Sequence, residues 1–235
     1  MTATVRTTDH PDPAREDSRI AFFSRWRLPR PGDRQAALDA IAGAWEPEPW
    51  PSPGLLGYHL YTGEDGVTLL HHSQWTGEDA YAAYAREHRG TRNDAIDAAV
   101  PGIERLALGS YRHYRGGRAE GDARVPGCVV IVSVEFEGPD PVRQRAWVDA
   151  VFEALGTDPQ PPGGGIAAHF HVSTDGERVL NYAEWESAQA HVDALDAPGR
   201  GIGGPTEQWR RVQQYPGLKR STVERYRHAY GLVPG

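Results

Sequence analysis

The chain repeats itself, and the repeat restricts its fold more than any other feature. Tyr58-His59-Leu60 followed by Glu64-Asp65-Gly66 has a counterpart in Ala168-His169-Phe170 followed by Thr174-Asp175-Gly176, at an offset of 110 residues. At the same offset Trp75 meets Trp185, Leu70 meets Leu180, and Asp39-Ala40-Ile41 meets Asp149-Ala150-Val151. Toward the end of each copy the offset is 115, with Pro101-Gly102 matching Pro216-Gly217 and Tyr111-Arg112-His113 matching Tyr226-Arg227-His228. The extra residues fall around 197–201, a Gly/Pro loop where added length costs little chain entropy. Collinear matches with one loop insertion are the mark of a duplicated domain. In 235 residues there is room for two domains of ordinary size. The expected division is a disordered tail over 1–18, a first domain over 19–116, a Gly-rich linker over 117–126 and a second domain over 127–235.

Each copy predicts the same order of elements. Residues 20–28 and 129–136 are apolar and aromatic, as strands are. Helical spacing follows over 33–45 and 140–155, where Asp140 suits a cap, Pro141 a first turn and Gly156 an end. A hairpin then turns at Asp65-Gly66 and at Asp175-Gly176. Its second strand ends at Trp75 or Trp185, and a second helix starts near Thr76 or Ser187, both plausible caps. A last strand covers 102–114 and 218–230. The order β-α-β-β-α-β predicts an α+β fold of two tandem ferredoxin-like domains, each an antiparallel sheet with its helices on one face. A bare apolar sheet face needs a cover. Two sheets in one chain can cover each other, which predicts an intramolecular α+β barrel pseudo-dimer and leaves a further homodimer open.

Composition removes several classes of function. The net charge of -7 argues against nucleic acid or an anionic membrane as partner, since both reward clustered Lys and Arg. The single cysteine, Cys128, precedes Val129-Val130-Ile131-Val132 and reads as a small buried hydrophobe, so neither an intrachain disulfide nor a Cys-based metal site is expected. No run approaches the roughly 18 apolar residues of a membrane span. The first 19 residues hold no apolar core of a secretory signal, so a soluble, cytoplasmic protein is expected. Gly163-Gly164-Gly165 precedes a strand and reads as a loop, and neither a phosphate-loop nor a nucleophile-elbow motif occurs in a fitting context.

Strand alternation selects the residues able to carry chemistry. Val179, Asn181, Ala183 and Trp185 share one strand face, as do Leu69, His71, Ser73 and Trp75. A Trp with an amide or imidazole four residues before it suits a flat polar ring, the Trp as wall and the polar group as orienter. Two core tryptophans and an Asn that satisfies backbone fit the same spacing. His59 and His169 lie on the preceding strand, where pairing brings His59 near His71 or His72. Pocket, packing and metal-ligand roles all fit such a pair, but nothing completes a three-ligand set, so no metal is expected. Six residues after each Trp come Tyr81 and His191, each a donor or acid–base candidate or a plain surface contact. Arg105 matches Arg220 and Arg112 matches Arg227, and these read as rim charges.

The hairpin over 168–185, reading Ala-His-Phe-His-Val-Ser-Thr-Asp-Gly-Glu-Arg-Val-Leu-Asn-Tyr-Ala-Glu-Trp, resembles the signature hairpin of the antibiotic biosynthesis monooxygenase family. The first copy, over 58–75, resembles it too. That resemblance implies ferredoxin-like domains paired as an α+β barrel. It also implies oxidation of a polycyclic phenol or aromatic polyketide to a quinone, with O2 as co-substrate and no cofactor. In the family the Asn and Trp of the hairpin and a Tyr on the next helix lie at the substrate. Here the second copy has Asn181 and Trp185 with His191, and the first has Trp75 and Tyr81 with His71. The implied catalytic set is therefore Asn181, His191, Tyr81 and His71, with Trp185, Trp75, His169 and His59 against a small aromatic substrate. A non-oxidative polyketide cyclase and a non-catalytic ligand-binding or scaffold protein are the alternatives on the same scaffold. A haem-degrading relative is disfavoured, because the first strands carry Ser24 and Ser133 but no Asn.

Overall fold

The computed structural model describes residues 2–157, 163–196 and 202–235, so the expected insertion around 197–201 lies outside the described residues. The chain is a mixed α+β protein of two compact units. One comprises Met1–Tyr111 with Arg227–Gly235, the other Arg112–Tyr226. The first holds β1 (Thr4–Thr7), β2 (Ile20–Arg27), α1 (Arg34–Trp45), β3 (Leu55–Gly63), β4 (Thr68–Trp75), α2 (Glu78–Tyr84) and α3 (Gly90–Ala99). A π-helical turn over Ala85–Arg89 joins α2 to α3. Then β5 (Glu104–Arg118) starts in the first unit and ends in the second. The second unit holds β6 (Cys128–Phe136), α4 (Pro141–Leu155), β7 (Gly165–Ser173), β8 (Arg178–Trp185), α5 (Ala188–Asp196) and α6 (Glu207–Gln213). The last strand, β9 (Leu218–Pro234), starts there and ends in the first unit.

Strand order in the first unit is β5-β2-β4-β3, continued by the end of β9 and by β1; in the second it is β9-β6-β8-β7, continued by the end of β5. Each unit thus arranges four strands in the same order. The local signals act as read. Asp65 Oδ1 accepts from the amides of Val67 and Thr68 at 3.0 and 2.8 Å, and Gly66 sits at φ 77° where a side chain is disfavoured. Asp140 caps α4 by accepting from the amides of Val142 and Arg143, both at 3.0 Å. Such a cap is worth about 1 kcal/mol. Ser187 caps α5 through the Ala190 amide at 3.0 Å. Thr76 does not cap α2; Gly77 holds that position without a side-chain bond.

Helices pack on one face of each sheet. In the first unit Ala37, Ile41 and Trp45 of α1 and Ile96 of α3 meet Leu60, Leu69 and Trp75. In the second, Trp147, Val148 and Val151 of α4 and Trp209 of α6 meet Val134, Phe170 and Val179. Cys128 is buried, as expected.

Two expectations need correction. The tail over 1–18 is not disordered: Thr4–Thr7 pairs antiparallel with β9, Thr4 opposite Pro234 and Thr7 opposite Gly231. Farther on, Gln74 Nε2 donates to the Asp12 carbonyl at 2.8 Å. Composition reports burial, whereas this tail is held by backbone pairing that any polar residue provides. The linker over 117–126 likewise begins inside β5. Gly116, at φ 145°, brings the strand so close to β7 that an added Cβ would lie 2.1 Å from the Ala168 carbonyl oxygen. That glycine serves close approach rather than flexibility. No helix among the described residues is long and apolar enough to cross a membrane.

Candidate functional site

In the second unit, alternation along β8 turns Asn181, Ala183 and Trp185 toward the helices, where they line one cavity. Val130 and Val132 of β6 and Phe170 of β7 extend its floor, and Val151, His191 and Trp209 close it from α4, α5 and α6. The cavity has a volume of about 260 Å3. That is close to the roughly 300 Å3 at which small-molecule sites begin. The apolar walls follow from the strand patterning, and the polar groups are few and convergent.

His191 has a defined tautomer. Arg225 Nε donates to His191 Nδ1 at 3.0 Å. A guanidinium can only donate, so Nδ1 must accept and the ring proton resides on Nε2. Burial first, and the Arg225 charge second, lower the His191 pKa from its ordinary value to about 4. Near neutral pH His191 is therefore an uncharged Nε2–H donor rather than a base. Its ring stands edge-on to Trp185 with centroids 4.8 Å apart. Asn181 Oδ1 is buried without a hydrogen-bond partner. A buried acceptor left open costs stability, so such groups concentrate where a ligand completes them. Glu184 also lines the cavity, with its charge balanced by Arg118 at 2.7 Å.

The first unit has an equivalent cavity, with His71, Ser73 and Trp75 from β4 and Tyr81 from α2. Large side chains fill most of it, leaving about 70 Å3. Tyr81 stacks on Phe22 at 3.6 Å and meets Trp75 edge-on at 5.4 Å. Burial raises its pKa above the ordinary tyrosine value, against the Arg89 charge, which lowers it. Tyr58 OH lies 2.5 Å from His71 Nδ1. Burial holds the Tyr58 phenol well above its ordinary pKa and lowers His71 to about 3, so the phenol donates and the His71 proton sits on Nε2. That Nε2 is buried without a partner.

The structure thus gathers six expected residues into two corresponding sets: Asn181, Trp185 and His191, and His71, Trp75 and Tyr81. It separates the other two. His59 lies opposite His72 in the β3–β4 register, and His169 opposite Tyr182 in β7–β8. Neither lines either of these two cavities. On β3 it is Tyr58 that joins the cavity lining, so its neighbour His59 points to the other face. His59 Nδ1 is 3.2 Å from His228 Nε2, and the His169 and His113 rings lie tilted to each other with centroids 5.6 Å apart. Of the two expected neighbours, His71 and His72, it is His72 that His59 meets, with ring centroids 6.4 Å apart on the face away from the cavity. Among the described residues no group of three His, Cys, Asp or Glu is placed to hold a metal ion.

Sequence reasoning missed Tyr58, Arg89, Arg92 and Asn93 in the first cavity, and Glu184, Trp209 and Arg225 around the second. Arg92 and Ile96, one helical turn apart, form a stripe on α3 that a search for helical periodicity would have flagged. Arg225 is not legible in this way, because its contact with His191 spans 34 residues.

No protein-family model matches this sequence, and no curated protein matches it. Solved structures do. An anthrone oxidase-like protein superposes with a TM-score of 0.65 at 16% identity, over 97% of this chain and 95% of its own. A proposed monooxygenase from Lactobacillus acidophilus NCFM gives 0.55 at 10% identity, over 92% and 96%. A proposed chlorite dismutase gives 0.53 at 12% identity, over 90% and 95%. The chain shares their fold, in agreement with the resemblance to the antibiotic biosynthesis monooxygenase family. The same fold carries more than one chemistry, so function has to be argued from the site.

Proposed function

We propose that this chain, which shares its fold with monooxygenase-like proteins, is a member of the antibiotic biosynthesis monooxygenase family and oxidises a polycyclic phenol or aromatic polyketide with O2. Its two units are read as ferredoxin-like copies of one domain, forming an intramolecular pseudo-dimer. The reading rests on one observation above all: Asn181, Trp185 and His191 converge on a cavity of about 260 Å3 with apolar walls. The equivalent first-unit space of about 70 Å3 is too small for several fused rings, so the reaction is assigned to the second unit.

An electron-rich phenolate or carbanion can itself give an electron to O2, so the reaction needs no cofactor. In an anthrone-like substrate the ring CH2 becomes C=O. One oxygen atom ends in that carbonyl, and the other leaves as water with the two hydrogens. The protein's part is to orient the ring, favour the anion and keep water out. Trp185 supplies a flat wall, Asn181 Oδ1 accepts the substrate hydroxyl, and the His191 Nε2–H donates to the oxygen on which charge grows. A fixed donor of that kind is worth roughly 3 kcal/mol in a dry site.

The test is oxygen consumption by chelator-treated protein with a stable anthrone or naphthalene-diol, comparing wild type with Asn181→Ala and Trp75→Ala. Protein-dependent uptake that falls with Asn181→Ala but not with Trp75→Ala is the expected result. No uptake above the protein-free rate, across several substrates, removes the oxygenase reading. Turnover under strict anaerobiosis would then indicate a cyclase, and unchanged ligand a binding protein.

A further inference from the structure

The first-unit cavity is chemically unlike the second. Its lining includes two arginines, Arg89 and Arg92, and contains no Asp or Glu among the described residues. Arg92 is only 8% exposed. A guanidinium taken that far from water normally meets a carboxylate, because an unbalanced buried charge is costly. Arg92 instead lies over the rings of Trp45 and Tyr84, at 4.4 and 5.7 Å, and hydrogen-bonds the Tyr84 side chain. Its Nε is buried without a partner.

A second buried donor stands open in the same cavity. Tyr58 occupies His71 Nδ1, which leaves the His71 Nε2–H buried and unused. Ser73 Oγ already accepts from Trp75 Nε1 at 2.9 Å, and Ser24 Oγ both accepts from Trp26 Nε1 and donates to the Ala107 carbonyl, each at 3.1 Å. The π-helical turn between α2 and α3 ends at Arg89, three residues before Arg92. Such turns are rare and are found mostly at functional sites. Open donors, a positive charge with no acid beside it and aromatic walls define the missing ligand: an anion that only accepts hydrogen bonds, attached to a flat ring. A space of about 70 Å3 admits one ring at most.

We propose that the first-unit cavity binds a small planar aromatic carboxylate, its anionic group held by Arg92 and the Nε2–H of His71 and its ring against the aromatic lining. The site is separate from the oxidation assigned to the second unit and does not depend on it, since binding is read without turnover. The two copies have then diverged, one toward a roomy chamber and the other toward an anion site.

The experiment is tryptophan-fluorescence and calorimetric titration of the full chain with benzoate, benzamide and acetate. Benzoate should bind at least tenfold more tightly than benzamide, which lacks the charge, and than acetate, which lacks the ring. Arg92→Gln should weaken benzoate at least tenfold and leave benzamide unchanged, while Asn181→Leu in the other unit leaves benzoate unchanged. Equal affinities for benzoate and benzamide, or no benzoate binding, overturn the proposal. So does a benzoate affinity that follows Asn181→Leu rather than Arg92→Gln. If Arg92→Gln fails to fold by circular dichroism, the wild-type comparison of the three probes decides the matter alone.

Discussion

Three buried histidines should make this protein acid-sensitive well above the range where carboxylates titrate. His59, His71 and His191 are each 4% exposed. Burial is the largest cause of the lowered pKa in all three, to about 3 for His59 and His71 and about 4 for His191. Unfolded histidine titrates near 6.5. Between those values the unfolded chain binds a proton that the folded chain does not, so stability falls as pH falls. The contribution is fully present above pH ~6.5 and is lost as pH drops toward the folded values. At 1.36 kcal/mol per pH unit, lowering the pH from 6.5 to 5 removes about 2 kcal/mol for each group, or roughly 6 kcal/mol if they act independently. Domains are commonly stable by only about 5–15 kcal/mol. Urea unfolding followed by circular dichroism at pH 7 and pH 5 measures the loss, and His191→Gln should reduce it by about 2 kcal/mol. A urea midpoint that does not move between the two pH values would refute the reasoning, since it would mean that these rings accept protons in place.

Three further outcomes follow from individual contacts. Asn181→Leu should cut oxygen uptake at least tenfold while leaving stability unchanged or raised by up to about 1 kcal/mol, because it removes a buried acceptor with no partner; a clear loss of stability would show that Asn181 is a structural residue. Arg225→Met should release the His191 tautomer, so that 15N shifts change from Nε2–H alone to a mixture, and should raise its pKa by removing the Arg225 charge. An unchanged 15N pattern would mean that another group sets the tautomer. Gly116→Ala, with a Cβ placed 2.1 Å from the Ala168 oxygen, should cost roughly 2–4 kcal/mol in chemical denaturation. A cost below about 0.5 kcal/mol would show that β5 and β7 give way freely.

Much of the site was legible before any coordinates. The 110-residue offset that pairs Trp75 with Trp185 also pairs His71 with Asn181 and Tyr81 with His191, and each trio lines the cavity of its own unit. That placement has a local cause. Residues two apart on a strand share a face, and a helix that starts just after the strand brings an early residue back over it. The Asp-Gly turns and the Asp140 cap were readable for the same reason, since the bonds that fix them span two or three residues.

What the sequence left undecided depends on partners far along the chain. The sequence left open whether His59 meets His71 or His72, and the β3–β4 register puts it opposite His72, on the face away from the cavity. Thr4–Thr7 became a strand because the end of β9 offers it an edge some 230 residues later. Arg225 fixes the His191 proton and Arg92 lies buried beside aromatic rings without an acid, and neither fact has a spacing that announces it. The sequence alone determined the main strands and helices from residue 20 onward and the side chains each hairpin strand turns toward its helices, because those follow from neighbours within a few residues. Only the tertiary structure decided the register, the burial of charge and the hydrogen-bond partners, because these are set by groups that meet only once the chain has folded.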